Sequence, residues 1–259
     1  MSRYVALGSV CWDEVADGER RLGGSVLFAS RVAVGAGWEA QIVTSGTEEL
    51  EAALRAALPE VDIVVQRSAV DTVMRFGPQA DLGPQSVPTI AEPIDASLVD
   101  GLTRADVVHL APIMGEVTPA LVAQVAGAPF VGITPQGLLR STDEDHRLLR
   151  LPDLDAWWAP SVHAAVLSED EHALVADPAV LDALALAVTR GERGCWGVAA
   201  GERTDVAGIA LAEVSPVGTI GAGDVFAAAL FLALADGTPF AEALRRANRR
   251  AADHVGGLA

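Results

Sequence analysis

Short apolar runs separated by amphipathic stretches recur along nearly the whole chain, and this alternation limits the fold more than any other feature. Runs such as "YVALGSV" (4–10), "EAQIVTSG" (39–46), "VDIVVQ" (61–66), "ADVVHLAP" (105–112), "PFVGITP" (129–135) and "AAVLSED" (164–170) are continuous rather than alternating. Strands buried on both faces have that character. "VLFASRVAVGAG" (26–37) and "EELEAALRAAL" (48–58) read as helices between them, the first with small residues suited to close packing. "LALAVTRGERG" (184–194) reads as a strand entering a glycine turn, with "CWGVAAG" as its hairpin partner. The expected fold class is therefore α/β: a mostly parallel sheet with helices on both faces.

Two segments interrupt the pattern. Residues 66–93 are polar, rich in Pro and Gly, and lack helical period; with 16–24 they are expected to form a small β flap or lid over one edge of the sheet. The rest reads as one domain spanning 1–259, a length ample for a single large core. Half of the residues are apolar (51%), so general disorder is not expected.

Composition closes several routes. The chain carries a net charge of −17, which argues against nucleic acid or an anionic membrane as partner. It contains no lysine, so a P-loop and Schiff-base chemistry are excluded. "MSRYVALGSVCWDE" meets an acid too early for a secretory signal, and no apolar run reaches the ~20 residues of a membrane span, so a cytoplasmic protein is expected. Cys11 and Cys195 are expected to be buried free thiols. The five histidines show no metal-ligand spacing, and the "WW" at 157–158 reads as packing.

The stretch "GTIGAGD" (218–224) runs directly into the apolar "VFAAALFLALA". Such an order supplies a helix N-terminus with amides almost free of side chains, a natural anion site. A carboxylate there, Asp224, can take a proton from a hydroxyl approaching that anion, as phosphoryl transfer to an alcohol requires. The alternative is that Asp224 only caps its helix.

GTIGAGD resembles the D-T-x-G-A-G-D signature of the ribokinase-like (PfkB) carbohydrate kinases. "RLGGSVLFASRVAVGAG" (21–37) is similar to that family's Gly-Gly segment and helix, and "LGSVCWDEV" to its first strand, which ends in a substrate-contacting Asp. "AVTRGERG" and "ANRRAADHVGG" resemble its nucleotide-side strand and C-terminal helix. "GITPQGLLR" (132–140) looks like the TPQGWLR stretch of the inositol-kinase-like branch. The matches fall in family order across the chain. The resemblance implies an ATP-dependent kinase acting on a sugar or polyol hydroxyl, with Asp224 as base and Gly221, Ala222 and Gly223 as anion hole. It implies acceptor contacts from Asp13, Gly23, Gly24, Ser25, Phe28, Gln136 and Arg140. The donor, ATP, would meet Ser168, Thr189, Gly191, Gly194, Thr219 and Asn248, with Mg²⁺ held through water near Glu171. Flaps of this family often pair between subunits, which admits a homodimer through the lid.

Three positions depart from the family pattern. Gly218 stands where an Asp is common, Phe28 replaces the Asn of the Gly-Gly segment, and "SEDE" (168–171) replaces N-x-x-E, with Glu171 alternatively a solvated capping residue. The changes at Gly218 and Ser168 motivate a second reading, a ligand-binding sensor that keeps the fold without turnover. A Rossmann-type oxidoreductase or methyltransferase is disfavoured because no GxGxxG follows the first strand.

Overall fold

A computed structural model of the chain describes residues 2–15, 19–77, 84–211, 214 and 219–257. The N-terminal half comprises β1 (Arg3–Leu7), β2 (Cys11–Glu14), β3 (Arg20–Gly23), α1 (Ser25–Gly35), β4 (Glu39–Gly46), α2 (Glu48–Ala57), β5 (Asp62–Arg67), β6 (Thr72–Phe76), β7 (Pro84–Thr89), β8 (Val107–Leu110) and α3 (Pro119–Val125). There follow β9 (Val131–Ile133), β10 (Arg140–Thr142), β11 (Leu148–Arg150), β12 (Ala164–Ser168), α4 (Glu169–His172), β13 (Ala185–Thr189), β14 (Gly194–Ala199), β15 (Glu202–Ala207), α5 (Ala222–Ala235) and α6 (Phe240–Val255).

Nine strands form the main sheet in the order β15-β14-β13-β12-β9-β8-β1-β4-β5. The seven from β13 to β5 are parallel to their neighbours, and β14 and β15 close one edge as an antiparallel hairpin. The apolar runs are continuous because both faces are covered. Tyr4 and Ala6 of β1 face the core shared with α1, α2, α5 and α6, whereas Val5 and Leu7 face the core beneath α3. Trp158 lies wholly buried in that second core, consistent with the packing reading of the tryptophan pair.

Helix α2 shows how local signals and packing agree. The Thr47 hydroxyl accepts from the Leu50 amide (3.3 Å) at its N-terminus, three acids occupy the first turn, and Arg55 lies in the last. The cap is worth ~1 kcal/mol, and the charges oppose the helix dipole favourably. Leu50 and Leu54, one turn apart, are wholly buried, and each such burial stabilises by about 1.5–3 kcal/mol.

A second, four-stranded sheet has the order β3-β2-β6-β7. Its β3 falls in the 16–24 segment and β6 and β7 in 66–93, while 66–67 instead finish β5 of the main sheet; residues 16–18 and 78–83 lie outside the described residues. The strand expected over 4–10 is corrected: β1 stops at Leu7, and the chain breaks away before resuming as β2 in the second sheet. Asp13 therefore stands within a lid strand, not at the end of the first strand of the main sheet. The buried carboxylate of Asp71 fastens the two sheets together. It accepts from the Trp12 indole (3.0 Å), the Thr47 amide (2.7 Å) and the Thr47 hydroxyl (3.0 Å).

Candidate active site

Going from β1, the chain first adds β4 and β5 on one side and then returns to add β8 and β9 on the other. Such a reversal leaves a crevice outside the carboxyl ends of the strands, where ligands bind in open α/β sheets. Here that crevice is a cleft of about 300 Å³. Residues just beyond the strands line it: Ile113 after β8, Thr134 after β9, and Ser168 and Thr189 at the ends of β12 and β13. The lid supplies Cys11, Asp13, Met74 and Phe76, and the start of α5 supplies Gly221, Gly223 and Asp224.

Helix α5 begins in the manner the glycine-rich run implies. Gly221 is its N-cap, in the left-handed conformation (φ 81°), and so brings no capping side chain of its own. A Cβ at Gly221 would also lie 2.5 Å from the Phe28 ring, so both conformation and space require glycine. The amides of the first turn have no intrahelical acceptors and point out of the helix end. Asp224 sits in that turn but is not the N-cap, so the capping alternative does not describe it. Burial pushes its carboxyl up to about 6, against the opposing pull of a hydrogen bond from Ser25 and the charge of Arg140, with Glu171 adding to the rise.

Asp13 is the second tuned acid. Burial raises it to about 6, while a hydrogen bond from the Cys11 thiol (3.2 Å to Oδ1) and the charge of Arg140 lower it. The Cys11 thiol is itself pushed up, by burial first and then by the charge of Asp13. Gly23 does not line the cleft, but a Cβ there would lie 2.1 Å from Asp13 Oδ2. The glycine thus makes room for the carboxylate from behind. Both cysteines are free and buried.

Arg140 is the only cation among the described lining residues, facing three carboxylates, Asp13, Glu171 and Asp224. Its Nη1 donates to the Ile113 carbonyl at 3.3 Å. Burial lowers the guanidinium's affinity for its proton, and Glu171, Cys11, Asp224 and Glu116 support it. Gln136 lies in the short helical turn Pro135–Leu139 after β9, and Arg140 follows it as the first residue of β10.

Glu171 is a capping residue, though a buried one (5% exposed) and not solvated. Its Oε2 accepts from the Ser168 amide (2.8 Å), and the Ser168 hydroxyl accepts from the Glu171 amide (3.2 Å), forming a reciprocal capping box at α4. Among the described residues no three acidic, cysteine or histidine side chains converge as a metal cage.

The cleft brings together Asp13, Gly24, Ser25, Phe28, Gln136, Arg140, Ser168, Glu171, Thr189, Thr219, Gly221, Gly223 and Asp224 from the sequence reading. Ala222, Gly191, Gly194 and Asn248 are not among its lining residues. Asn248 Nδ2 donates to the Ala207 carbonyl at 3.0 Å. Gly218 lies outside the described residues. Sequence reasoning missed Cys11, Ile113, Thr134 and the two lid apolar residues, Met74 and Phe76. It also missed Glu116, which is 2% exposed and joins the loops after β1 and β8 by accepting from the amides of Ser9 (2.5 Å), Ile113 (3.0 Å) and Met114 (2.8 Å). The position of each just past a strand end, at the switch in strand order, is the signal that would have found Ile113 and Thr134.

A parallel sheet with a β lid, and a helix N-terminus beside a tuned carboxylate in the cleft between them, define the ribokinase type of α/β fold. Residues 151–256 match the family described as pfkB family carbohydrate kinase. The chain superposes on a pyrophosphate-dependent kinase in the ribokinase family complexed with a pyrophosphate analog and myo-inositol, with TM-score 0.84 and 17% identity over 97% of this chain and 94% of that one. An Arabidopsis thaliana ribokinase complexed with ribose and ATP gives TM-score 0.72 and 19% identity over 98% and 92%. A Methanocaldococcus jannaschii nucleoside kinase gives 0.72 and 14% over 98% and 92%. No curated protein sequence matches the chain. No described helix is long and apolar enough to cross a membrane.

Proposed function

We propose that the cleft transfers a phosphoryl group from ATP to a hydroxyl of a sugar or polyol. The observation that carries this reading is the placement of Asp224. Its carboxyl, pushed up to about 6, stands in the first turn of α5 and lines one cleft with Arg140 and Asp13. Ionised at neutral pH yet more basic than an ordinary carboxylate, Asp224 suits the removal of a proton from a hydroxyl as its oxygen attacks the terminal phosphorus. The bond between that phosphorus and the ADP oxygen breaks as the new one forms. The amides at the start of α5 stabilise the charge spread over the phosphoryl oxygens, and Arg140 adds a fixed positive charge at the acceptor side.

Asp13, held by Cys11 and backed by Gly23, would accept hydrogen bonds from acceptor hydroxyls. Ser25, Gly24 and Gln136 would complete that pocket, with Phe28 against the Gly221 turn as a wall. Ser168, Thr189 and Thr219 would meet the donor phosphates. Three carboxylates against one arginine leave the cleft short of positive charge for a polyphosphate. That balance fits Mg²⁺, held by the phosphates and through water near Glu171. When bound, the ion would neutralise donor charge.

A second reading of the donor is favoured by one observation. Gly191, Gly194 and Asn248 do not line the cleft, so the described donor end offers groups for phosphates but none for a base. Pyrophosphate, the donor named for one structurally similar kinase, would satisfy those groups.

The test is phosphorylation of sugars, nucleosides and myo-inositol with Mg²⁺ and either ATP or pyrophosphate, with Asp224→Asn in parallel. Acceptor-dependent turnover lost in the variant is expected, and the better donor is identified in the same experiment. No turnover with either donor, while a polyol still binds by calorimetry, would replace the kinase with a sensor that keeps the fold.

A further inference from the structure

Three buried polar residues unused by this mechanism lie side by side on adjacent parallel strands: Tyr4 on β1, His109 on β8, and Thr134 just after β9. The Tyr4 hydroxyl is 2.6 Å from His109 Nδ1, and His109 Nε2 is 3.1 Å from Thr134 Oγ1. Tyr4 and His109 are wholly buried, whereas Thr134 (8% exposed) lines the cleft. The imidazole is held edge-on between Tyr4 (centroids 6.1 Å apart) and Phe231 of α5 (4.9 Å).

The direction of this chain of hydrogen bonds follows from counting donors. Burial lowers the His109 imidazole to about 3, so it is neutral at working pH and carries one N–H. With that proton on Nδ1, the imidazole would donate to the Tyr4 oxygen. The Tyr4 O–H would then need a second acceptor, and none occurs among the described residues. A buried donor without an acceptor is costly. With the proton on Nε2, Tyr4 donates to Nδ1 and Nε2 donates to Thr134 Oγ1. The Thr134 O–H must then point elsewhere, and the open side is the cleft.

We propose that Tyr4 and His109 are positioning residues that fix the Thr134 hydroxyl as a hydrogen-bond donor into the cleft, directed at an oxygen of the bound acceptor. The acceptor end is the natural recipient. Thr134 opens the turn that carries Gln136 and ends at Arg140, and it lines the cleft together with Ile113, whose carbonyl accepts from Arg140. The relay selects an acceptor with an oxygen free to accept a hydrogen bond beside the reacting hydroxyl.

The assignment of a recipient rests on the kinase reading; the relay itself does not, and the experiment separates them. Nitrogen-15 NMR of the histidine-labelled protein, without substrate, is expected to show His109 as the Nε2–H tautomer from pH 5 to 8. In Tyr4→Phe the Nε2–H form should persist, because an Nδ1–H there would be a buried donor without an acceptor, while the Nδ1 resonance shifts on loss of the Tyr4 O–H and circular dichroism shows the fold retained. Nδ1–H as the dominant form in the unsubstituted protein would overturn the relay whether or not the protein has turnover. In the kinetic arm, Thr134→Val should raise the acceptor KM ~5–10-fold, with Thr134→Ser within ~2-fold, as loss and retention of one hydrogen bond require. An increase confined to the donor KM would overturn the acceptor as recipient.

Discussion

At one end of the cleft, Asp13, Cys11, Arg140 and Thr134 present side chains already engaged with neighbours: a thiol on a carboxylate, a guanidinium on a carbonyl, a hydroxyl on an imidazole. Elsewhere in the cleft, the start of α5 presents Gly221 and Gly223, which offer backbone alone. On the proposed function the first arrangement would discriminate, because a ligand lacking the matching oxygen leaves buried polar groups unpaired. On the same reading the second would bind any suitably placed phosphate, because amides at a helix end recognise charge and little else. The contrast predicts a narrow choice of acceptor and a tolerant choice of donor, with Asp224 at the junction.

Asp224→Asn should have the largest effect at that junction. Turnover is expected to fall by at least ~100-fold, with donor affinity nearly unchanged because the amides remain. The same substitution removes an acid that burial disfavours in its charged form, so the melting temperature at pH 7 should rise by a few degrees; ~1 kcal/mol moves a chain of this length by about 2–4 °C. Steady-state kinetics and calorimetric melting check the two halves. Activity retained in the variant would break the contrast at its centre.

A smaller effect, on pH, sharpens it. Asp13 and Asp224 are both raised from 3.8 to about 6 by burial. If each must be ionised, kcat/KM should be level above pH 6 and fall below it, with a limiting slope approaching two per pH unit. In Asp224→Asn the residual activity should fall with a slope of one. Stability should run the other way. Each acid holds its proton more tightly when folded, so its contribution is fully present below about pH 4 and is lost as pH rises through 6. A slope of one in the unsubstituted protein would leave only one of the two carboxylates in the reaction.

How much of this could be read from the sequence depends on what each part rests on. The main sheet was legible because burial on both faces writes itself into continuous apolar runs; "EAQIVTSG" became β4 with the expected ends. The α5 terminus was legible because Gly221 is required by both φ and the Phe28 ring, and such demands leave a local motif. The second sheet was harder. Its β2 pairs in parallel with β6 across some sixty residues, and pairing at that distance leaves no local trace. The relay was invisible for a similar reason. His109 stands in "ADVVHLAP" as one polar residue in an apolar strand, and only the three-strand order places it between Tyr4 and Thr134. Glu171 was half legible: a capping role was one of its two readings, but its burial, and its charge beside Arg140, come from parts of the chain distant in sequence.

The smallest expected effect tests the donor end directly. The family resemblance implies a nucleotide contact for Asn248. Its side-chain amide instead donates to the Ala207 carbonyl, joining α6 to the end of β15, and it stands outside the cleft lining. Asn248→Ala should therefore change the KM for ATP by less than ~3-fold, the scale of one exposed hydrogen bond, and leave turnover with pyrophosphate unaltered. A rise of ~10-fold in the KM for ATP, with pyrophosphate unaffected, would mean that the amide releases Ala207 to grip the base. The donor end would then discriminate by side chains as the acceptor end does, and phosphate contacts alone would no longer account for donor binding.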